Sequence, residues 1–427
     1  MTGVTQSNIY LAEFPDFVRK ENHPGWLRQI QESAMERFSE VGFPTTHDEE
    51  WRFTNVAPIV RQPFQRFGGH NGRVQVPRQE GWQLVLVNGR YAPKLSTLPG
   101  SIKAGSLAEA LRAEGDTIQR HLARYASFQN HSFVALNTAF IEDGVFVSIP
   151  RNNILERPLH IVSVSTGGSE AVVSHPRNLV LIGENSQATI TESYIGSGDQ
   201  VYFTNAVTEI VVGEGAVVDH YKLELEQAQA FHLATLQVQQ GRSSNFSSHS
   251  ISFGGALVRN DATAVLSEGC ECTMNGLYLV NGKQHIDNHT TIDHAQPHAN
   301  SHELYKGVLD GKSSAVFNGK ILVRKDAQKT DSKQTNKNLI LSEDAVINTK
   351  PELQIFADDV RCTHGATIGQ LDADAIFYLR SRGIEEKEAR QVLTLAFARD
   401  VIDRVKIAAM RENLERILFE KLNEHPH

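Results

Sequence analysis

The sequence predicts a mainly β chain, built as a sandwich, a barrel or a β-solenoid, with helical regions at both ends. Three observations carry this. Residues 145–368 run as short β-rich segments that no long amphipathic helix interrupts. Turn-like tetrads recur there: G-E-N-S from 183, G-E-G-A from 213, G-R-S-S from 241, S-E-G-C from 267, D-G-K-S from 310 and S-E-D-A from 342. Most of the gaps are about 26–32 residues and one is about 43. A repeat of roughly 30 residues suits a solenoid, in which each coil buries its inward side chains against the next. Periodicity alone leaves sandwich and solenoid equally open.

Three regions follow: a mainly helical one at 1–144, the β core at 145–370 and a helical one at 371–427. Residues 9–42 read as helical. Asn22 or His23 precedes Pro24, which suits a first helical turn, and Trp26, Ile30, Ala34 and Phe38 recur four apart before Gly42 and Pro44. From His47 to about Phe67 the pattern is irregular, with Trp51 and Phe53 as packing anchors. Residues 82–88 form a strand ending in the turn dipeptide Asn88-Gly89. Residues 103–141 are mostly helical, with Ser106 as a cap before Leu107 and Leu111. Clear β runs lie at 179–182, 207–212, 233–238 and 277–280.

Further on, Leu353, Ile355 and Ala357 alternate with Glu352, Gln354 and Phe356, an extended pattern. Asp372 can cap a short helix that Gly383 ends. Ala389, Val392, Leu393, Ala396 and Phe397 share one helical face, and Ile407, Met410, Leu414 and Ile417 form a narrower stripe. These helices can pack on the end of a solenoid or present a groove.

Bulk properties narrow the function. The 427 residues carry 42 basic and 50 acidic side chains, a net charge of −8, which argues against a nucleic-acid or anionic-membrane binder. The first residues show no basic or apolar leader. No apolar run approaches the roughly 18 residues of a membrane span. Three cysteines do not make a disulfide framework and fit a reducing compartment, so the cytoplasm is expected.

Four stretches invite a chemical reading. Cys362 and His364 are two apart and share a face on a strand. A thiol beside an imidazole can be shifted toward thiolate, and that pair suits iron, zinc or copper. One C-x-H supplies at most two ligands, so a buried thiol and a hydrogen-bonded histidine at a strand end is the alternative. Histidines at 285, 289, 294, 298 and 302 include His285, Asp287 and His289, one strand face resembling a two-histidine, one-carboxylate iron site. An outward polar ladder or an interface is the favoured reading, since the later spacing breaks strand alternation after Pro297. Cys270 and Cys272 share a strand face and read as fillers; with Cys362 they are one thiol short of a four-cysteine cluster site. Lys325, Lys329, Lys333 and Lys337 read as a solvated stretch.

Enzyme motifs are missing. Gly307 to Ser313 resembles a Walker A loop but is one residue short and has no following helix, so if ATP is used another chain must bring it. There is no G-x-S-x-G elbow and no H-E-x-x-H pair.

The segment C-T-H-G-A-T-I-G-Q-L-D with F-Y-L-R-S-R-G, within 358–383, resembles the signature of the SufD subunits of the SUF iron–sulfur cluster assembly system. The paralogous SufB subunits usually read E-H-E-A where this chain has T-H-G-A. E-E-W-R-F-T-N at 49–55, F-V-A-L-N-T-A-F-I-E-D-G at 133–144 and H-T-T-I-D-H-A-Q-P-H at 289–298 extend the resemblance over nearly the whole chain. It implies a right-handed parallel β-helix flanked by helices, and a non-catalytic subunit that pairs with a SufB-like chain and docks a SufC-like ATPase. His364, and secondarily Cys362, would then sit at the SufB-facing seam and bind nascent iron or cluster transiently. Val392, Ala396 and Phe397 would dock the ATPase. The isolated chain would hold no cofactor, and alone it could form a homodimer. Two other readings stay open: a β-helix carbohydrate-active enzyme, and a β-rich non-haem iron enzyme using 285–302.

Overall fold

The structure, a computed structural model, describes residues 6–21, 23–66, 74–166, 170–198 and 200–424. Asn22 and Phe67 lie outside the described residues.

The β core is a parallel β-solenoid. Each coil places one strand in each of two facing sheets, so sequence-adjacent strands lie in opposite sheets and pair with strands two apart. The first sheet takes Arg177–Ile182, Tyr202–Val212, Phe231–Gln240, Leu257–Leu266, His285–His294, Ser314–Val323 and Val346–Ile355. The second takes Gln187–Ser197, Val217–Leu225, Asn245–Ser252, Glu271–Val280, Asn300–Leu309, Asp331–Ile340 and Arg361–Gly369. Registered pairing stacks like on like. Ile210, Val238, Ala264, Ile292, Ile321 and Leu353 form one inward column. A one-residue slip would turn that column outward, so burial specifies the register.

The turns explain the tetrads. Between first-sheet and second-sheet strands, Asn152, Asn185, Gly215, Ser243, Gly269, His298 and Lys329 all have left-handed φ between 53° and 67°. Each donates its N–H to a carbonyl of the next coil, from Asn152 to Glu184 through to Lys329 to Asp359. The tetrads at 183, 213, 241 and 267 lie on this corner, whereas those at 310 and 342 lie on the opposite one. The long gap is therefore a step of about one and a half coils rather than an insertion. His298 is a corner residue here, not a member of a histidine cluster.

The two ends differ. At the N-terminal end the second sheet is closed by the antiparallel hairpin Trp82–Val87 and Arg90–Tyr91, turning at Asn88-Gly89. The first sheet is closed by Lys103–Ser106, antiparallel to Val145–Ile149. Antiparallel strands cannot continue the coil, so they blunt that edge. Arg361–Gly369 pairs on one side only and is almost wholly exposed.

Helices cover the outer faces. The N-terminal helical stretch divides into Gln6–Lys20 and Gly25–Val41, with Pro24 at the cap. Tyr10, Phe17, Phe38, Phe133 and Phe140 pack on Phe203, Leu233 and Leu257 of the first sheet. Ser106 caps Leu107–Ala113 as expected, accepting from the Glu109 N–H at 3.1 Å. The C-terminal helices Glu386–Ile402 and Ala408–Glu424 pack through Ala398, Val401, Ile402, Met410, Leu414 and Leu418 on the second sheet's flank, not its end.

One fully buried ion pair joins the helical cap to the first sheet. Arg177 and Glu209 both have 0% exposed side chains, with Nη2 2.7 Å from Oε2. Arg177 also reaches Asn137 and Thr138, and Glu209 accepts the N–H groups of Ala123, Tyr125 and Ala126. Arg177→Met leaves that carboxylate buried without its cation and should destabilise the chain by about 3–5 kcal/mol. Urea unfolding followed by circular dichroism checks this; an unchanged midpoint would refute it.

Candidate functional site

The open end holds the predicted pair. In Arg361–Gly369, Cys362 registers with Ser332 and His364 with Gln334. Ser332 and Gln334 are buried in the lumen, so alternation turns Cys362 and His364 inward at its mouth. Cys362 packs against the lumen core, and its neighbours behind it are Ser332, Ser301 and Cys272 in register. His364 is exposed, because no further coil covers it. Burial pushes the Cys362 thiol up, and Asp331 adds to that. The expected shift toward thiolate therefore runs the wrong way in this chain: partial burial and a nearby carboxylate outweigh the hydrogen bond from the Ser332 backbone.

The edge around this pair is unsatisfied and apolar. The Arg361 N–H donates back to Thr330 at 2.8 Å, so alternation points the N–H groups of Cys362, His364, Ala366 and Ile368 outward. Val346, Ile355, Phe356 and Ile368 are exposed hydrophobics at the same end. Just inside, Glu303 is buried and burial pushes its carboxyl up to about 7. Nothing in residue type marked Glu303 or Gln334 beforehand, because only register places them behind His364.

The histidine stretch is differently used. His285, Asp287 and His289 do share an outward face, as alternation requires, but the E-E-W-R-F-T-N segment sits on it. Arg259 places Nη1 2.8 Å from Asp287 Oδ2, donates to the Glu50 carbonyl at 2.7 Å and lies 3.8 Å from the Trp51 ring centroid. Thr54 donates to Asp287 at 2.6 Å and meets His285 Nε2 at 2.9 Å. His289 has Nδ1 3.2 Å from Glu50 and Nε2 3.0 Å from Asp287. A cation already neutralises the carboxylate, and both His289 nitrogens face carboxylate oxygens, so the trio is a latch rather than an iron site. Among the described residues no three His, Cys, Asp or Glu side chains are grouped to hold a metal. Trp51 anchors this segment, whereas Phe53 is 49% exposed and does not.

Other expectations resolve plainly. Cys270 lies in a turn and donates its thiol to the Gly241 carbonyl at 3.0 Å, and Cys272 lies on a strand three coils behind Cys362 in the same file; both are buried in the core. Gly311 turns between two strands, with no helix after it to receive phosphate. Asp372 caps Ala373–Ser381, and Gly383 follows at φ 88°. The apolar face at 389–397 splits. Val392 is 44% exposed and Ala396 is exposed, but Phe397 leans on the solenoid with Lys306 Nζ 4.5 Å from its ring. Phe377 and Tyr378 on the preceding helix are 72% and 57% exposed.

The latch has a pH signature. Burial pulls His289 down, but Asp287 and the hydrogen bonds to Asp287 and Glu50 outweigh it and raise the ring to about 9. A raised value means stabilisation that is complete below the unfolded histidine value, about 6.5, and fades as pH climbs toward 9. Thermal unfolding of the wild type should fall across that window, and His289→Gln should flatten the slope. Parallel slopes would exclude His289 as the titrating group.

Comparison with known proteins agrees with this geometry. Residues 9–161 match the SufBD protein N-terminal region and residues 164–397 the SufBD core domain of SUF system FeS cluster assembly. The chain is 35% identical over 404 residues to an iron–sulfur cluster assembly SufBD family protein of Synechocystis, covering 90% of this chain and 89% of that one. It is 30% identical over 423 residues to SufD of Escherichia coli, covering 97% of each, and 23% identical to SufD of Bacillus subtilis, covering 99% and 100%. No described helix is long and apolar enough to cross a membrane. With two family models spanning the solenoid and its N-terminal cap, the chain belongs to the SufBD family of iron–sulfur cluster assembly proteins.

Proposed function

We propose that this chain is a non-catalytic scaffold subunit that pairs, in the cytoplasm, with a SufB-like chain and docks a SufC-like ATPase while clusters form at the shared seam. The observation that carries this is the asymmetry of the ends. One edge is blunted by antiparallel strands, and the other presents outward N–H groups beside exposed Ile355, Phe356 and Ile368. A parallel coil of similar pitch can add there, strand on strand. When the chain is alone, a second copy can use the same edge.

At the seam His364 is the group offered to a neighbour. Neutral imidazole binds iron and exchanges more readily than thiolate, as a transfer site requires. Cys362, half-buried and pushed toward the thiol form, is the lesser contributor until a bound metal displaces its proton. The ATPase is placed on the C-terminal helices, where Val392, Ala396, Phe377 and Tyr378 leave an exposed surface; Phe397 supports that surface from beneath rather than forming it.

Three variants separate these roles. His364→Ala should leave fold and assembly intact and reduce cluster yield in cells; an unchanged yield would remove the histidine from the mechanism. Ala366→Pro deletes one outward N–H, and co-purification of the SufB-like chain should drop while circular dichroism is retained. Val392→Asp with Phe377→Asp should release the ATPase in a pull-down, and retained ATPase would place its dock elsewhere.

A further inference from the structure

Behind His364 the second sheet carries a file of same-face residues. Register pairs Glu303 with Gln334 and Gln334 with His364. Glu303 and Gln334 are 3% and 2% exposed. Gln334 Nε2 donates to Glu303 Oε2 at 2.6 Å, whereas its Oε1 has no hydrogen-bond partner among the described residues. Across the lumen stands Gly319, where a Cβ would lie 2.5 Å from Gln334 Nε2. The glutamine is therefore wedged, with its donor end committed to a carboxylate.

A buried amide oxygen left without a donor loses its hydration uncompensated, so a donor is expected to meet it. Toward the mouth, the next group in the file is the His364 ring, which makes no hydrogen bond or ion pair within the described residues. A neutral imidazole that offers one nitrogen to a metal carries its proton on the other, and an acceptor held behind it selects that tautomer.

We infer that Gln334, locked by Glu303, is the positioning residue of His364: the ring, exposed and unbonded in the structure, turns to give the proton of its lumen-facing nitrogen to Gln334 Oε1 and leaves the outward nitrogen bare for iron. This rests on the reading of His364 as the seam's iron-binding group. It adds two residues to that reading, neither of which touches the metal. Glu303 acts at one remove, by tying up the amide's N–H and so fixing which end of Gln334 faces the histidine.

The test reads the tautomer directly, in the full-length chain. Histidine ring nitrogens are labelled with ¹⁵N, and the His364 signals are assigned by their loss in His364→Ala. The wild type should show one neutral tautomer. Gln334→Leu should shift proton density toward the other nitrogen, and Gln334→Glu, which keeps an acceptor oxygen, should restore the wild-type pattern. Equal tautomer ratios in the wild type and Gln334→Leu would overturn the inference. Cluster yield in His364→Ala tests the underlying reading separately: a normal yield with a shifted tautomer would sink the iron role and leave the positioning pair standing.

Discussion

Main-chain pairing between successive coils is the interaction on which the rest depends. In a parallel solenoid every strand's N–H and C=O groups are satisfied by the coil before and the coil after, and the left-handed corner residues extend that ladder through the turns. The arrangement is self-consistent everywhere except at its two ends. Capping strands that run antiparallel close the first. The last coil is left with a bare edge, a lumen mouth and an exposed imidazole together. The placement of His364 follows from the same pairing that builds the core.

Polar groups set position around this ladder. The apolar column from Ile210 to Leu353 supplies burial, whereas the opposing inward file passes through Phe246, Cys272, Ser301 and Ser332 to Cys362. On the outer face of the first sheet, Arg177 with Glu209 and Arg259 with Asp287 fasten distant N-terminal segments to particular coils. Buried ion pairs of this kind add little net stability over apolar packing, but losing one partner is costly. They therefore serve to specify where the helical cap sits.

The legibility of the sequence was uneven for the same reason. Turn chemistry, the strand runs, Asp372, Ser106 and the Asn88-Gly89 hairpin were readable because each is decided by a few neighbouring residues. The tetrad spacing was readable too, but its long gap was not, since two corners with similar composition are indistinguishable in one dimension. The 389–397 face was drawn one position out of phase. Helical periodicity finds apolar neighbours without knowing which of them the sheet covers, and the sheet chose Ala398, Val401 and Ile402.

By itself the sequence determined the β-rich repeat and the helical ends, and through the resemblance it pointed to Cys362 and His364. Only the tertiary structure decided that Arg259 and the 49–54 segment turn the histidine face into a latch, that Cys362 is pushed toward its thiol form, and that Gln334 and Glu303 stand behind His364. These are properties of register. Residues about 30 positions apart become neighbours when coils stack, and that distance is set by the number of residues in each turn of the solenoid, which no local pattern records.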